Sequence, residues 1–331
     1  MKIVFFGTPR PAVIILDKLQ KEFGGGQAKS VISAVVTQEP KPVGRKKILK
    51  FSSVDDWAHK RNIPIFFDPG DLIKNNIEVS LGVSASFGKI IPNDVINYIP
   101  KKIINVHFSL LPKWRGASPI PATLISGESE VGVSLFLIDE KLDHGPILAQ
   151  FTQEIDASDT SESLIDKLFL RSADVLMELI PAYLSGKVKA KTQDDEAATY
   201  TKIMSKDDGF IPPNILSAAQ AGEHFKGDWQ ISFMHNYKLV NPGPNEIDRF
   251  VRAMIPWPIA WTNIKLGKEI KRLKILKTLI ENDALVLDEV QLEGKNKVSW
   301  KQFEEGYDIL PALLSGVSSV VKSKGNSRQG G

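Results

Sequence analysis

The sequence predicts an α/β protein: a mostly parallel sheet carrying helices, followed by a small β-barrel. Three observations carry that expectation. The chain opens strand, helix, strand (KIVFF, VIILDKLQKEF, VISAVVT), and strands alternating with helices build parallel sheets. Its 331 residues exceed what one core usually supports, so two domains are expected. Beyond residue 246 the pattern changes to short strands separated by turns, as in small barrels.

Each element has its own reason. Residues 2–6 form an apolar run that reads as a buried strand, and 13–23 repeat apolar residues at helical spacing until Gly24–Gly26 break the run. Residues 31–37 give the second strand. Residues 38–50 contain Pro40, Pro42 and Gly44 with five basic side chains, so no regular structure is expected there. A helix is expected around 52–61, strands at 63–67 and 79–86, a helical turn at 93–98 and a strand at 103–109. A helix at 119–127, strands at 131–139 and 147–155, and a long helix at 161–186 complete the first half. The polar stretch that follows reads as a linker. A helix at 246–254 and strands at 260–264, 271–279, 284–292 and 297–300 follow, while 209–244 is rich in Gly, Pro and Asn and receives no assignment. The expected division is a domain over 1–187, a linker over 188–208 and a domain over 209–331 with an unusual stretch at 212–244.

Composition narrows the chemistry. There is no cysteine, which excludes disulfides, thiol catalysis and cysteine-rich zinc sites and fits a reducing cytoplasm. The five histidines, His59, His107, His144, His224 and His235, show no metal-ligand spacing, so no metal is expected. MKIVFFG enters a strand without a targeting segment, and no run is long and apolar enough for a membrane span. A cytoplasmic monomer without membrane attachment is expected. The net charge of +3 permits contact with nucleic acid without requiring it.

INVHFSLLPKWRGASP, residues 103–118, is the informative stretch. Residues two apart on a strand point to one side, so Asn105 and His107 share a face near the C-terminal end of a strand, the edge where α/β sheets place ligands. Histidine carries protons at neutral pH, and an Asn amide can stabilise a developing oxyanion. No serine elbow and no cysteine supports a covalent intermediate. The pair suits direct acyl transfer to an amine, with Asn105 on the oxyanion and His107 taking the amine's proton. A third group must orient the imidazole; Asp143 is the candidate and Asp139 its rival. Weighed against this, a histidine on an apolar strand is often a satisfied core residue, and Asp143 a turn residue.

NVHFSLLPKWRGASPI and LDHGPIL resemble the signature and the D-x-G element of folate-dependent formyltransferases. FFGTPRPA, VVTQEPKPVGRKKILK, RAMIPWPIAW, VQLEGKNKVSW and QFEEG are similar to the branch of that family acting on methionyl-tRNA. The resemblance covers about residues 2–208 and 246–306. It implies the formyltransferase fold, a Rossmann-like mostly parallel sheet, with an OB-like barrel as second domain. It implies Asn105, His107 and Asp143 as the catalytic trio. 10-Formyltetrahydrofolate would be the co-substrate, held by Ser109, Leu110, Leu111 and Pro112 with Phe87, Gly88 and Ile90. The acceptor would be initiator methionyl-tRNA, met by Arg45, Lys46, Lys47 and Lys206, with Lys268, Lys271, Arg272, Lys274 and Lys277 as candidate phosphate contacts.

Alternatives stay in view. Residues 38–50 read equally as a solvated charge run, and KEIKRLKILK as a lysine-guarded edge strand. A related formyltransferase acting on an amino-sugar nucleotide would not need the basic loop. A non-catalytic RNA-binding protein would not need the trio.

Overall fold

The structure, a computed structural model, describes residues 1–24, 30–43 and 48–307. In chain order the elements are β1 (Ile3–Gly7), α1 (Ala12–Phe23), β2 (Ile32–Val36), β3 (Lys41–Val43), β4 (Ile48–Lys50), α2 (Ser53–His59), β5 (Ile65–Phe66) and α3 (Asp71–Lys74). There follow β6 (Leu81–Ala85), α4 (Asn93–Tyr98), β7 (Ile103–His107), β8 (Arg115–Gly116), α5 (Pro119–Ser126), β9 (Glu130–Leu137), β10 (Ile147–Glu154), α6 (Ser161–Leu184) and β11 (Tyr200–Thr201). After a 3-10 turn at Lys206–Gly209 come α7 (Pro213–Gln220), β12 (Asp228–Gln230), β13 (Lys238–Val240), α8 (Pro244–Ala253), β14 (Ala260–Leu266), β15 (Glu269–Glu281), β16 (Ala284–Leu292), β17 (Lys297–Ser299) and α9 (Trp300–Gly306).

The chain divides into two compact units. Among the described residues, the first comprises those of Met1–Asp208 with Gln230–Tyr237 and Arg252–Pro258; the second comprises Gly209–Trp229, Lys238–Val251 and those from Ile259 to Tyr307.

The first unit is built on a seven-stranded sheet of order β10-β9-β7-β6-β1-β2-β5. β1 lies inside it between β6 and β2, with every residue buried, as a strand covered on both faces must be. The strands from β7 to β5 run parallel, whereas β9 and β10 are antiparallel additions. From β1 the chain moves to β2 and β5 on one side, then returns to β6 and β7 on the other. Loops leaving β1 and β6 therefore diverge, which opens a crevice at the carboxyl ends of the strands. α1 packs against α6 across one face, its apolar residues Ile15, Leu16 and Leu19 fully buried.

α6 starts on a capping box, Thr160 accepting from the Ser163 amide and Ser163 from the Thr160 amide, which satisfies end donors the helix leaves open. Just before it, Asp159 is buried yet accepts from Lys167 at 2.8 Å, the Ser163 hydroxyl at 2.7 Å and the Asp156 amide at 2.9 Å. Burial pushes its carboxyl up, but these partners outweigh burial and hold it below the usual carboxylate range. A depressed folded-state value contributes stability above the unfolded value of about 4 and loses it as pH falls through the folded one. Chemical denaturation from pH 6 to pH 3 should therefore show falling stability, with a shallower fall in Asp159→Asn.

The second unit carries the small β domain, an antiparallel sheet of order β14-β15-β16-β17. Leu273, Ile275, Leu285, Leu287, Val290 and Leu292 are buried while intervening residues are not, the alternation of a sheet with one wet face. α7 packs on β14 and β16, and the Phe210 and Trp261 rings meet at 4.7 Å.

Two segments differ from the sequence reading. In the segment 38–50, expected without regular structure, Lys41–Val43 and Ile48–Lys50 pair as β3 and β4, Pro42 opposite Leu49; a two-stranded ribbon accommodates proline because each strand has an open edge. The unassigned stretch holds α7, β12 and β13. No helix among the described residues is long and apolar enough to cross a membrane.

Candidate active site

β7 delivers Asn105 and His107 to one face by alternation, and both neighbouring strands fix its register: Asn105 pairs with Ser84 and Phe136, and His107 with Ser134. His107 is 6% exposed. Its Nε2 lies 3.0 Å from the Trp114 carbonyl and its Nδ1 lies 3.5 Å from the Asp143 carboxylate. A carbonyl can only accept, so Nε2 carries a proton, and in the neutral ring Nδ1 is the nitrogen left to act as a base. Once Nδ1 is protonated, the ring faces an acceptor on each side. Trp114 presents its carbonyl from a left-handed backbone, φ 55°. The Asn105 side chain is partly exposed and has no hydrogen-bond partner among the described residues, leaving its amide open to a ligand.

Asp143 reaches this pair from an unexpected direction. β9 runs antiparallel to β7, and Leu137 at its end lies beside Ile104. The loop 138–146 must therefore run back along the sheet to bring Asp143 to His107. There the Asp143 carboxylate, 12% exposed, accepts from the Gly116 amide at 2.7 Å. Asp139, the rival, is corrected by the structure: it accepts from His144 Nδ1 at 2.7 Å, so it is committed away from His107.

The loops after β6 and β7 form the adjoining wall. The buried Ser134 hydroxyl donates to the Ser109 carbonyl at 2.7 Å and accepts from the Leu111 amide at 2.9 Å. Ser109 donates to the Lys113 carbonyl at 2.5 Å, and Gln150 donates to the Leu111 carbonyl at 3.0 Å. Each such bond contributes about 1 kcal/mol, and together they fix the turn through Pro112. Leu111 is buried and Leu110 is 41% exposed. Phe87 is buried, and its carbonyl accepts from Thr8 and Gln38, each at 3.0 Å. Gly88 has φ 75° and Ile90 is 88% exposed. Exposed apolar side chains beside fixed backbone groups suit a flat, partly apolar ligand.

A cleft of about 1010 Å³ opens beside this edge. Ser86 and Phe108, which follow β6 and β7, line it together with Arg10, Trp57, Ser118 and Trp257.

Arg45, Lys46 and Lys47 lie outside the described residues. Lys206 is exposed at the start of the 3-10 turn. In the second unit Lys271 pairs with Glu269 at 2.8 Å, Lys277 with Asp288 at 2.6 Å, and Arg272 stacks 3.9 Å over Trp261.

Sequence reasoning missed Arg115, Gln193 and Asp195. Arg115 is 2% exposed, and its guanidinium donates to Gln193 at 2.8 and 3.1 Å and to Asp195 at 2.8 Å. That ion pair holds the Asp195 carboxyl below its usual range. The signal was present: an arginine between Trp114 and Gly116 in an otherwise apolar stretch demands a partner if buried.

The formyl transferase family matches residues 1–180. Methionyl-tRNA formyltransferase of Geotalea daltonii is 30% identical over 93% of this chain and 96% of its own. That of Halalkalibacterium halodurans is 37% identical over 82% of this chain and 77% of its own. Among solved structures, the N-formyltransferase of Helicobacter canadensis, in complex with folinic acid and dTDP-3-aminofucose, superimposes with a TM-score of 0.56 at 19% identity, covering 85% of this chain and 88% of that one. The strand-end edge that carries Asn105 and His107, and the loop that returns Asp143 to them, thus belong to a chain that is a member of the formyl transferase family.

Proposed function

We propose that the protein transfers the formyl group of 10-formyltetrahydrofolate to the α-amine of methionine esterified to initiator tRNA. The observation that supports this best is the approach of Asp143 to His107, 3.5 Å apart, beside the unpartnered amide of Asn105. Full-length likeness to methionyl-tRNA formyltransferases favours the charged tRNA as acceptor.

In this reading Asn105 donates to the formyl oxygen as the amine adds and negative charge develops there. His107 takes the amine proton at Nδ1, and Asp143 faces the resulting imidazolium. The bond from the formyl carbon to the folate nitrogen then breaks, and the proton returns from His107 to that leaving nitrogen. The products are the N-formyl amine and tetrahydrofolate. Ser109–Pro112, Phe87, Gly88 and Ile90 would hold the folate, and the cleft past Phe108 would admit the aminoacyl end. Residues 1–187 would be the catalytic domain and 209–331 the tRNA-binding domain, with Arg45, Lys46, Lys47 and Lys206 meeting the acceptor stem.

Incubation with 10-formyltetrahydrofolate and three amines tests the reading: methionyl-tRNA, an amino-sugar nucleotide and glycinamide ribonucleotide. Mass analysis should find the formyl group on methionyl-tRNA. Formylation of the sugar nucleotide alone would move the protein to that branch of the family.

A further inference from the structure

We propose that Gln193 is a positioning residue for Asp143; this rests on the formyl-transfer reading above. The need for such a residue follows from strand direction. β9 ends beside Ile104 while His107 lies three residues further along β7, about 10 Å at the rise of a strand. A loop that travels back over that distance has no ladder of its own to hold it. Asp143 itself sits at φ 49°, a left-handed conformation that persists when its surroundings enforce it.

Gln193 supplies that enforcement. Its side-chain amide donates to the carbonyls of Asp143 at 2.9 Å and Gly145 at 2.8 Å, one on either side of His144. Its oxygen accepts from Arg115 Nε and Nη2. The next residue after Arg115 is Gly116, whose amide holds the Asp143 carboxylate. The result is a closed ring: the Asp143 carboxylate to the Gly116 amide, along the chain to the Arg115 guanidinium, then Gln193, and back to the Asp143 carbonyl. Both ends of Asp143 are thereby fixed. Flanking contacts brace the ring. Asp195 joins Arg115 to His144, and Ile147 and Lys191 exchange backbone hydrogen bonds at 2.8 Å.

The residue type matters. Two amide hydrogens meet two carbonyls while one oxygen meets a guanidinium, and glutamine offers that combination. Glutamate keeps the partner for Arg115 but brings no donor to the two carbonyls.

The test is a double-mutant cycle, run with whichever amine the wild-type protein formylates. Gln193→Ala and Gln193→Glu should each lower kcat about 10-fold or more, the scale of a misplaced catalytic group, with KM for the folate within about 2-fold. In an Asp143→Ala background Gln193→Ala should change kcat less than about 2-fold, because a group that acts through Asp143 has nothing left to position. Losses that simply add, or a kcat unchanged in both single variants, overturn the proposal. Hydrogen exchange gives a reading that needs no acceptor. Peptides covering Gly116 and 138–146 should exchange faster in Gln193→Ala while those of β1 and β6 do not. Unchanged exchange at Gly116 overturns the proposal too. A wild-type protein that formylates none of the amines sinks the functional reading and leaves the exchange result to decide the role of Gln193.

Discussion

His107→Ala is expected to lower kcat/KM about 10³-fold, near 4 kcal/mol of transition-state stabilisation, the central range for removal of a positioned base. The reason lies in the two sides of the ring. Nε2 is occupied by the Trp114 carbonyl, so proton uptake falls to Nδ1, which faces the Asp143 carboxylate. Stability must be separated from chemistry, because the imidazole is buried and the alanine variant leaves the Trp114 carbonyl unpaired, at a cost of about 1–3 kcal/mol. His107→Gln resolves the two. Its amide can still donate to that carbonyl, so thermal stability should stay close to wild type, while activity should fall as far as in the alanine variant. Retention of more than about a tenth of wild-type activity by the glutamine variant would remove His107 from the role of base.

Gly116→Ala carries the largest expected effect on stability. Gly116 has φ 111°, and an added Cβ would sit 2.1 Å from the Thr201 carbonyl oxygen. That oxygen belongs to β11, which pairs with β8 through Tyr200 and Thr201, so relief requires backbone to move rather than a side chain to turn. Strain and lost pairing together predict about 3 kcal/mol of destabilisation, or a fall in Tm of about 6–12 °C for a unit of this size. Formyl transfer should fall as well, since moving Gly116 moves the amide that holds the Asp143 carboxylate. A scanning calorimetry midpoint within about 2 °C of wild type would contradict the close packing of β8 on β11.

Much of the first unit was legible because its periodicities coincide with burial. Ile3–Phe6 form an unbroken apolar run and are all fully buried. Alternation alone placed Asn105 and His107 on one face. Strand direction was not legible: VGVSLFLI reads the same whether it runs with or against its neighbour, so the long return of Asp143 could not be anticipated. Residues 188–208 read as a linker because they are polar. In the structure their polarity answers polar groups far away in sequence, with Gln193 78 residues from Arg115 and Thr199 85 from Trp114. Composition cannot distinguish a segment that faces water from one that faces a buried guanidinium.

The ring through Gln193 also sets an order in time. Synthesis proceeds from the N-terminus, and the last strand of the seven-stranded sheet, β10, has been made at Glu154. The ring closes 39 residues later. A nascent chain that ends between these points would have every strand of the sheet made, and an Asp143 whose carbonyl still lacks the donor that Gln193 supplies. On the role proposed for Gln193, the brace on the 138–146 loop is thus made after the last strand, and a prematurely terminated product would carry the strands while lacking the donors to the Asp143 and Gly145 carbonyls.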